Sequence, residues 1–129
     1  MEYTTSRKSA KKFRTFRDLR VWEESYKLAV GIYKISEKFP KHELYGLSSQ
    51  MTRAAVSVAS NIAEGYGQKS SRDKSQFYVM ANGSLTELEN QLLIAEGIGY
   101  IDKTLLVRVM EQCDTVHKML YGLQKAHDN

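Results

Sequence analysis

Residues 44–67 read LYGLSSQMTRAAVSVASNIAEGYG, and the spacing within this stretch decides the fold class. Leu47, Met51, Ala54, Ala55, Val58 and Ile62 recur at steps of three and four, the period of one face of an α-helix. A second row follows the same step one position over: Gln50, Arg53, Ser57, Asn61 and Glu64. Residues three and four apart stack on one side of a helix, so the segment carries an apolar stripe with a polar stripe beside it. Eight Gly and a single Pro leave few breakers, which favours long helices over many short strands. Gly65 and Gly67 are expected to stop this helix, the usual role of glycine at a helix C-terminus.

Working outward, the same period returns three times. Upstream, Asp18 is expected to cap a helix whose stripe is Leu19, Trp22, Tyr26, Ala29, Val30 and Tyr33. On this reading Tyr26 and Tyr33 belong to the core or to an interface. Pro40 ends the helix near Lys38, because the residue before a proline is driven out of the α region. Downstream, Ser70 and Asp73 resemble a capping box with Asp in place of Glu. They open a helix bearing Phe77, Ala81, Leu85, Leu88, Leu92 and Ala95, closed by Gly97 and Gly99. Asp102 can cap a last helix with Leu105, Val109, Cys113, Val116, Leu120 and Leu123 in near-heptad register.

Four helices of this length, joined by a few residues each, predict an all-α, antiparallel up-down-up-down four-helix bundle. The bundle is expected over residues 17–129, after a basic N-terminal arm at 1–16. A chain reversal near Gln68 would set Met51 against Leu85, Ala55 against Ala81 and Leu47 against Leu88. Arg53 would then approach Glu87, either as a charge-assisted pair or as one of two exposed surface charges.

Charge is distributed unevenly. The chain of 129 residues carries a formal net charge of +4. Arg7, Lys8, Lys11, Lys12, Arg14 and Arg17 face only Glu2 within the first 17 residues, so the remainder is close to neutral. A basic arm of this kind can contact the phosphates of RNA or DNA through counterion release, or it can simply be solvated. No window supplies the ~18 consecutive apolar residues of a membrane span, and no apolar segment of a signal peptide follows the N-terminal charges. A single cysteine, Cys113, suits a reducing compartment, so a cytoplasmic location is expected.

The residues nominate no catalytic centre. Cys113 and His117 share a helical face with Asp114, but a di-iron bundle needs Glu-x-x-His on two helices, and only one Asp-x-x-His occurs. A thiol at the core position of Cys113 would be a poorly solvated nucleophile. Gly65-Tyr66-Gly67 follows a helix and lacks the third glycine of a dinucleotide site. Neither metal nor organic cofactor is expected, and the reading is non-enzymatic.

Several segments together carry a family resemblance. Phe16-Arg17-Asp18-Leu19-Arg20-Val21-Trp22 is similar to the F-x-D-L-x-V-W opening of the 23S rRNA intervening-sequence protein family. Phe39-Pro40 with Glu43, Gly46 and Leu47 resembles its F-P-x-x-E-x-x-G-L connection. Gln50, Arg53, Ser57 and Asn61-Ile62-Ala63-Glu64-Gly65 resemble its central signature. Ala81-Asn82-Gly83-Ser84-Leu85 with Glu87 and Leu88, and then Gly99-Tyr100-Ile101, complete the pattern over about residues 16–123. The resemblance implies a four-helix bundle that assembles as a ring-like homopentamer, with a biochemical role that the family leaves unsettled. Gln50, Arg53, Ser57, Asn61, Glu64 and Glu87 are then the candidate interface residues, and a second copy of the chain is the expected partner.

Overall fold

A computed structural model describes residues 15–127. Four α-helices fill that span: α1 (Arg20–Ser36), α2 (Leu47–Tyr66), α3 (Ser71–Gly97) and α4 (Lys103–Ala126). Short 3-10 turns lie at Phe16–Asp18 and Lys41–Glu43, and no strand occurs among the described residues.

Two expected caps are in place. Ser70 Oγ accepts the Asp73 N–H at 3.1 Å, and Asp102 Oδ1 accepts the Leu105 N–H at 2.8 Å. Each satisfies one of the orphan donors of a helix start. Asp18 acts one step earlier than expected. It ends the turn Phe16–Asp18, where Thr15 Oγ1 accepts from Arg17 N–H and Asp18 Oδ2 accepts from Thr15 N–H. The N-cap of α1 is Leu19, which makes no side-chain cap bond.

Helix α1 packs on α2 and α4, and α3 packs on the same two, so the helices stand in a square in chain order. Cross-helix pairs fix the directions. Gly65 meets Phe77 and Tyr78 while Ser57 bonds Ser84, so α2 and α3 are antiparallel. Asn82 meets His117 and Ser71 meets His127, which makes α4 antiparallel to α3. The core between them holds Leu28, Ile32, Met51, Val58, Ile62, Tyr78, Leu85, Leu88, Leu92, Val116 and Leu120, all essentially inaccessible. Each such side chain contributes roughly 1.5–3 kcal/mol relative to exposure.

Three details depart from the sequence reading. First, the core face of α1 is Val21, Ser25, Leu28 and Ile32, one position away from the stripe read above. Two parallel apolar rows exist on this helix, and Ser25 joins the inner one because its hydroxyl donates to the Trp22 carbonyl at 2.7 Å. Tyr26 and Tyr33 consequently stay about half exposed, at 45% and 51%. Second, Gly65 does not end α2; it is buried inside the helix, and Gly67 is the C-cap. Third, the α2/α3 register lies one to two turns from the expected alignment. Ser57, not Arg53, sits opposite Ser84, because the first turn of α3 overhangs the end of α2. Lys74 reaches back there to donate to the Tyr66 carbonyl at 2.6 Å. On α3 the buried aromatic is Tyr78, while Phe77 is only half-buried.

Candidate functional site

The polar row of α2 divides into two parts. Asn61 Nδ2 donates to the Ser57 carbonyl at 2.9 Å and to Ser57 Oγ at 3.1 Å. Ser57 Oγ lies 2.8 Å from Ser84 Oγ across the α2/α3 interface. Ser57 thus joins α2 to α3, and Asn61 braces Ser57 from one turn further along the same helix. Gln50, Arg53 and Glu64 are exposed, as is Glu87 on α3. Gln50, Arg53, Ser57 and Glu87 line one cleft of about 270 Å³. Among the described residues Arg53 makes no ion pair with Glu87; the register shift leaves them as neighbours across a cleft. Of the basic arm residues, Arg7, Lys8, Lys11, Lys12 and Arg14 lie outside the described residues, and Arg17 belongs to the turn before α1.

A larger feature runs along α1 and α2. Phe16, Trp22, Tyr26, Val30 and Tyr33 of the first helical segment and Val56, Ala59 and Ala63 of α2 line a cleft of about 580 Å³. A second, of about 690 Å³, continues it from Tyr33 and Glu37 to Leu44 and Tyr45. Phe16 stands edge-on to Trp22 at 5.2 Å, and Trp22 stacks on Tyr26 at 5.3 Å, so the aromatic wall is preassembled. The outward placement of the second α1 row builds this groove.

At one end of the bundle two loop motifs meet. Glu43 Oε1 accepts the Leu47 N–H at 2.9 Å, supplying the side-chain cap that Gly46 lacks. Tyr100, after the α3/α4 turn, donates to Glu43 Oε2 at 2.8 Å, and its ring packs on Phe39 at 5.0 Å. A Cβ on Gly46 would lie 2.7 Å from Glu43 Oε1, so glycine is what lets the carboxylate fold over the helix start. The Leu47 hydrogen bond, then the Tyr100 hydroxyl, hold the Glu43 carboxyl below its ordinary value. The same bond raises the Tyr100 phenol. A carboxyl lowered in the folded state stabilises the fold above its unfolded value, and that contribution is lost as pH falls through the folded value. The stability difference between wild type and Glu43→Gln is therefore expected to shrink as pH drops below the ordinary carboxylate range. Urea titrations of both proteins from neutral to acid pH check this; a difference independent of pH would refute it.

A buried polar tie joins α3 to α4. His117 Nδ1 lies 2.7 Å from Asn82 Oδ1, and His117 Nε2 lies 2.9 Å from Glu89 Oε1. Asn82 Nδ2 in turn donates to Gln124 Oε1 at 3.5 Å. Residues 82 and 89, and 117 and 124, are each two turns apart on one helix face, a spacing no motif search isolates. His117 thus points across to α3 and not toward a reactive thiol. Cys113 is fully buried; burial first, then the nearby Glu89 and Asp114, push its thiol up to about 12. A thiol so protonated at neutral pH is a poor nucleophile and metal ligand. No group of three metal-ligating side chains occurs among the described residues. None of their helices is long and apolar enough to cross a membrane.

Fold and surface together define a small all-α four-helix bundle with an open aromatic groove on one side. The family model of the 23S rRNA-intervening sequence protein matches residues 17–122, and the chain belongs to that family. Its structure is similar to a crystal structure from Bacteroides thetaiotaomicron of a protein with unknown function from the S23 ribosomal protein family. The TM-score is 0.76 at 22% identity, over 81% of this chain and 95% of that one, a likeness of fold. A comparison with curated proteins finds no match.

Proposed function

We propose that this protein is a non-enzymatic homo-oligomeric scaffold that acts by binding. The family resemblance makes a ring of five the expected form. The carrying observation is the groove along α1 and α2, whose wall of exposed aromatic side chains exceeds what a solitary bundle needs to cover its core. The protonated Cys113 and the fully engaged His117 support binding over chemistry. Gln50, Arg53, Glu64 and Glu87, which the fold leaves exposed, are the polar residues available to a bound partner. Light scattering at micromolar concentration is expected to give a multiple of 14.8 kDa, five chains for the ring. A single species at the one-chain mass removes the reading.

The charge distribution supports a second function of the same assembly. Arg7, Lys8, Lys11, Lys12, Arg14 and Arg17 concentrate the positive charge at one end of each chain, and a ring would multiply that arm by avidity. RNA or DNA is the matching partner. With about six phosphate contacts per arm, affinity is expected to fall by at least roughly a thousandfold between 50 and 200 mM salt. Deleting residues 1–15 should abolish binding in a fluorescence-anisotropy titration; unchanged affinity would overturn the arm as the contact.

A further inference from the structure

We infer that the groove between α1 and α2 is filled by the outer face of α3 from a second copy of the chain. This rests on the homo-oligomeric reading and names the two surfaces that meet. The groove is continuous, since Tyr33 and Glu37 line both of its clefts. It follows α1, whose 17 residues span about 26 Å. Tyr26, Val30, Tyr33, Leu44, Tyr45 and Val56 are its exposed large side chains, with Tyr45 at 93%. Covering them removes on the order of 500 Å² from water, most of the roughly 800 Å² per partner of a stable interface.

The other faces of the same chain select the occupant. The outside of α4 is studded with Lys103, Arg108, Glu111, Asp114, Lys118 and Lys125, all exposed, and would carry many charges into an apolar trough. The outside of α3 is different. Val79, Leu93 and Ile94 are about half exposed on one side of the helix, and Val79 to Ile94 spans about 22 Å, short enough for the groove. Between residues 75 and 95 the only charges are Glu87 and Glu89, and Glu89 is tied to His117. Glu87 faces outward, and the groove offers it two cations, Lys34 and Lys41, against the single anion Glu37. Gly83, one turn from Val79, has nothing within 4 Å of where a Cβ would stand. Within one chain that glycine only costs the helix about 1 kcal/mol relative to alanine; against a second helix it allows close approach.

Groove and ridge belong to different helices, so the contact is heterologous. Each subunit offers one groove and one ridge, and repetition closes a ring or runs on as a filament. The consequence is a mixing experiment. Leu93→Lys damages only the ridge, and Val30→Lys only the groove, so the two damaged surfaces also repel each other. Each variant alone is expected to sediment as a monomer with the wild-type helical circular dichroism. Mixed in equal amounts, they are expected to form a two-chain species and nothing larger, because one intact groove meets one intact ridge. Tyr33→Lys serves as a second groove variant if Val30→Lys loses helicity. A Leu93→Lys protein that assembles like wild type overturns the α3 assignment and leaves the oligomeric reading standing. So does a mixture that stays monomeric. A wild type that is itself monomeric overturns both.

Discussion

Gly65→Ala is expected to destabilise the protein, although the same change at Gly122 should stabilise it. Alanine in place of glycine in a helix interior gains about 1 kcal/mol from backbone propensity. At position 65 a Cβ would sit 2.6 Å from Tyr78 Cε1, 3.1 Å from Tyr78 Cδ1 and 3.0 Å from Phe77 Cβ. The obstacle is a ring held in the core at 1% exposure and a β-carbon fixed to the α3 backbone, neither of which is a flexible side-chain tip. Overpacking of this kind costs roughly 1–3 kcal/mol even after relaxation, so the clash outweighs propensity. Gly122→Ala is the control, since nothing lies within 4 Å of its Cβ position. Urea unfolding should show opposite signs for the two variants. Adding Tyr78→Leu should return part of the loss, because neighbouring sites couple. A Gly65→Ala protein as stable as Gly122→Ala would show that α2 and α3 do not approach as described.

The helices were legible because their apolar period is long and glycine, proline and capping residues punctuate it. Met51, Ala54, Ala55, Val58 and Ile62 are all buried as the stripe required. What the period could not decide was which of two adjacent rows on α1 faces inward. Val21-Ser25-Leu28-Ile32 and Trp22-Tyr26-Ala29-Tyr33 share one spacing, and the serine in the first row argues for the second. The winning row is set by packing against α2 and α4 together with a local Ser25 bond to the Trp22 carbonyl, neither visible in one helix. Gly65 misled for a related reason. Glycine near a helix end usually marks a cap, and here it marks a close helix crossing that only the α3 partner reveals.

The motifs shared with the family separate in the same way once the contacts are known. Glu43, Gly46 and Tyr100 lie up to 57 positions apart and form one latch. Ser57, Asn61 and Ser84 form one bridge. These are structural roles, since every polar atom described in them is directed at another part of the chain. Gln50, Arg53, Glu64 and Glu87 are left exposed by the fold, and Gln50, Arg53 and Glu87 line one cleft.

Replacing His117 with leucine is expected to cost about 2–3 kcal/mol, the scale of a lost hydrogen bond to a charged group with buried polar partners left unpaired. The imidazole fills the space between α3 and α4 with 13% of its side chain exposed, and Glu89 beside it is 19% exposed. Leucine fits a similar volume but forms no hydrogen bond, so Asn82 and Glu89 both lose their contacts with the ring nitrogens at this point. Asn82 is 8% exposed, too little for water to replace the bond without opening the helix pair. The cost comes from the polar groups left without a partner and not from the histidine itself. Removing them as well should restore stability: the triple variant Asn82→Leu, Glu89→Leu, His117→Leu is expected to be more stable than His117→Leu alone. Urea midpoints of the single and triple variants decide the matter. A single variant within ~0.5 kcal/mol of wild type would place His117 among ordinary surface residues. A triple variant worse than the single would mean that the polar tie contributes more than the apolar packing that replaces it.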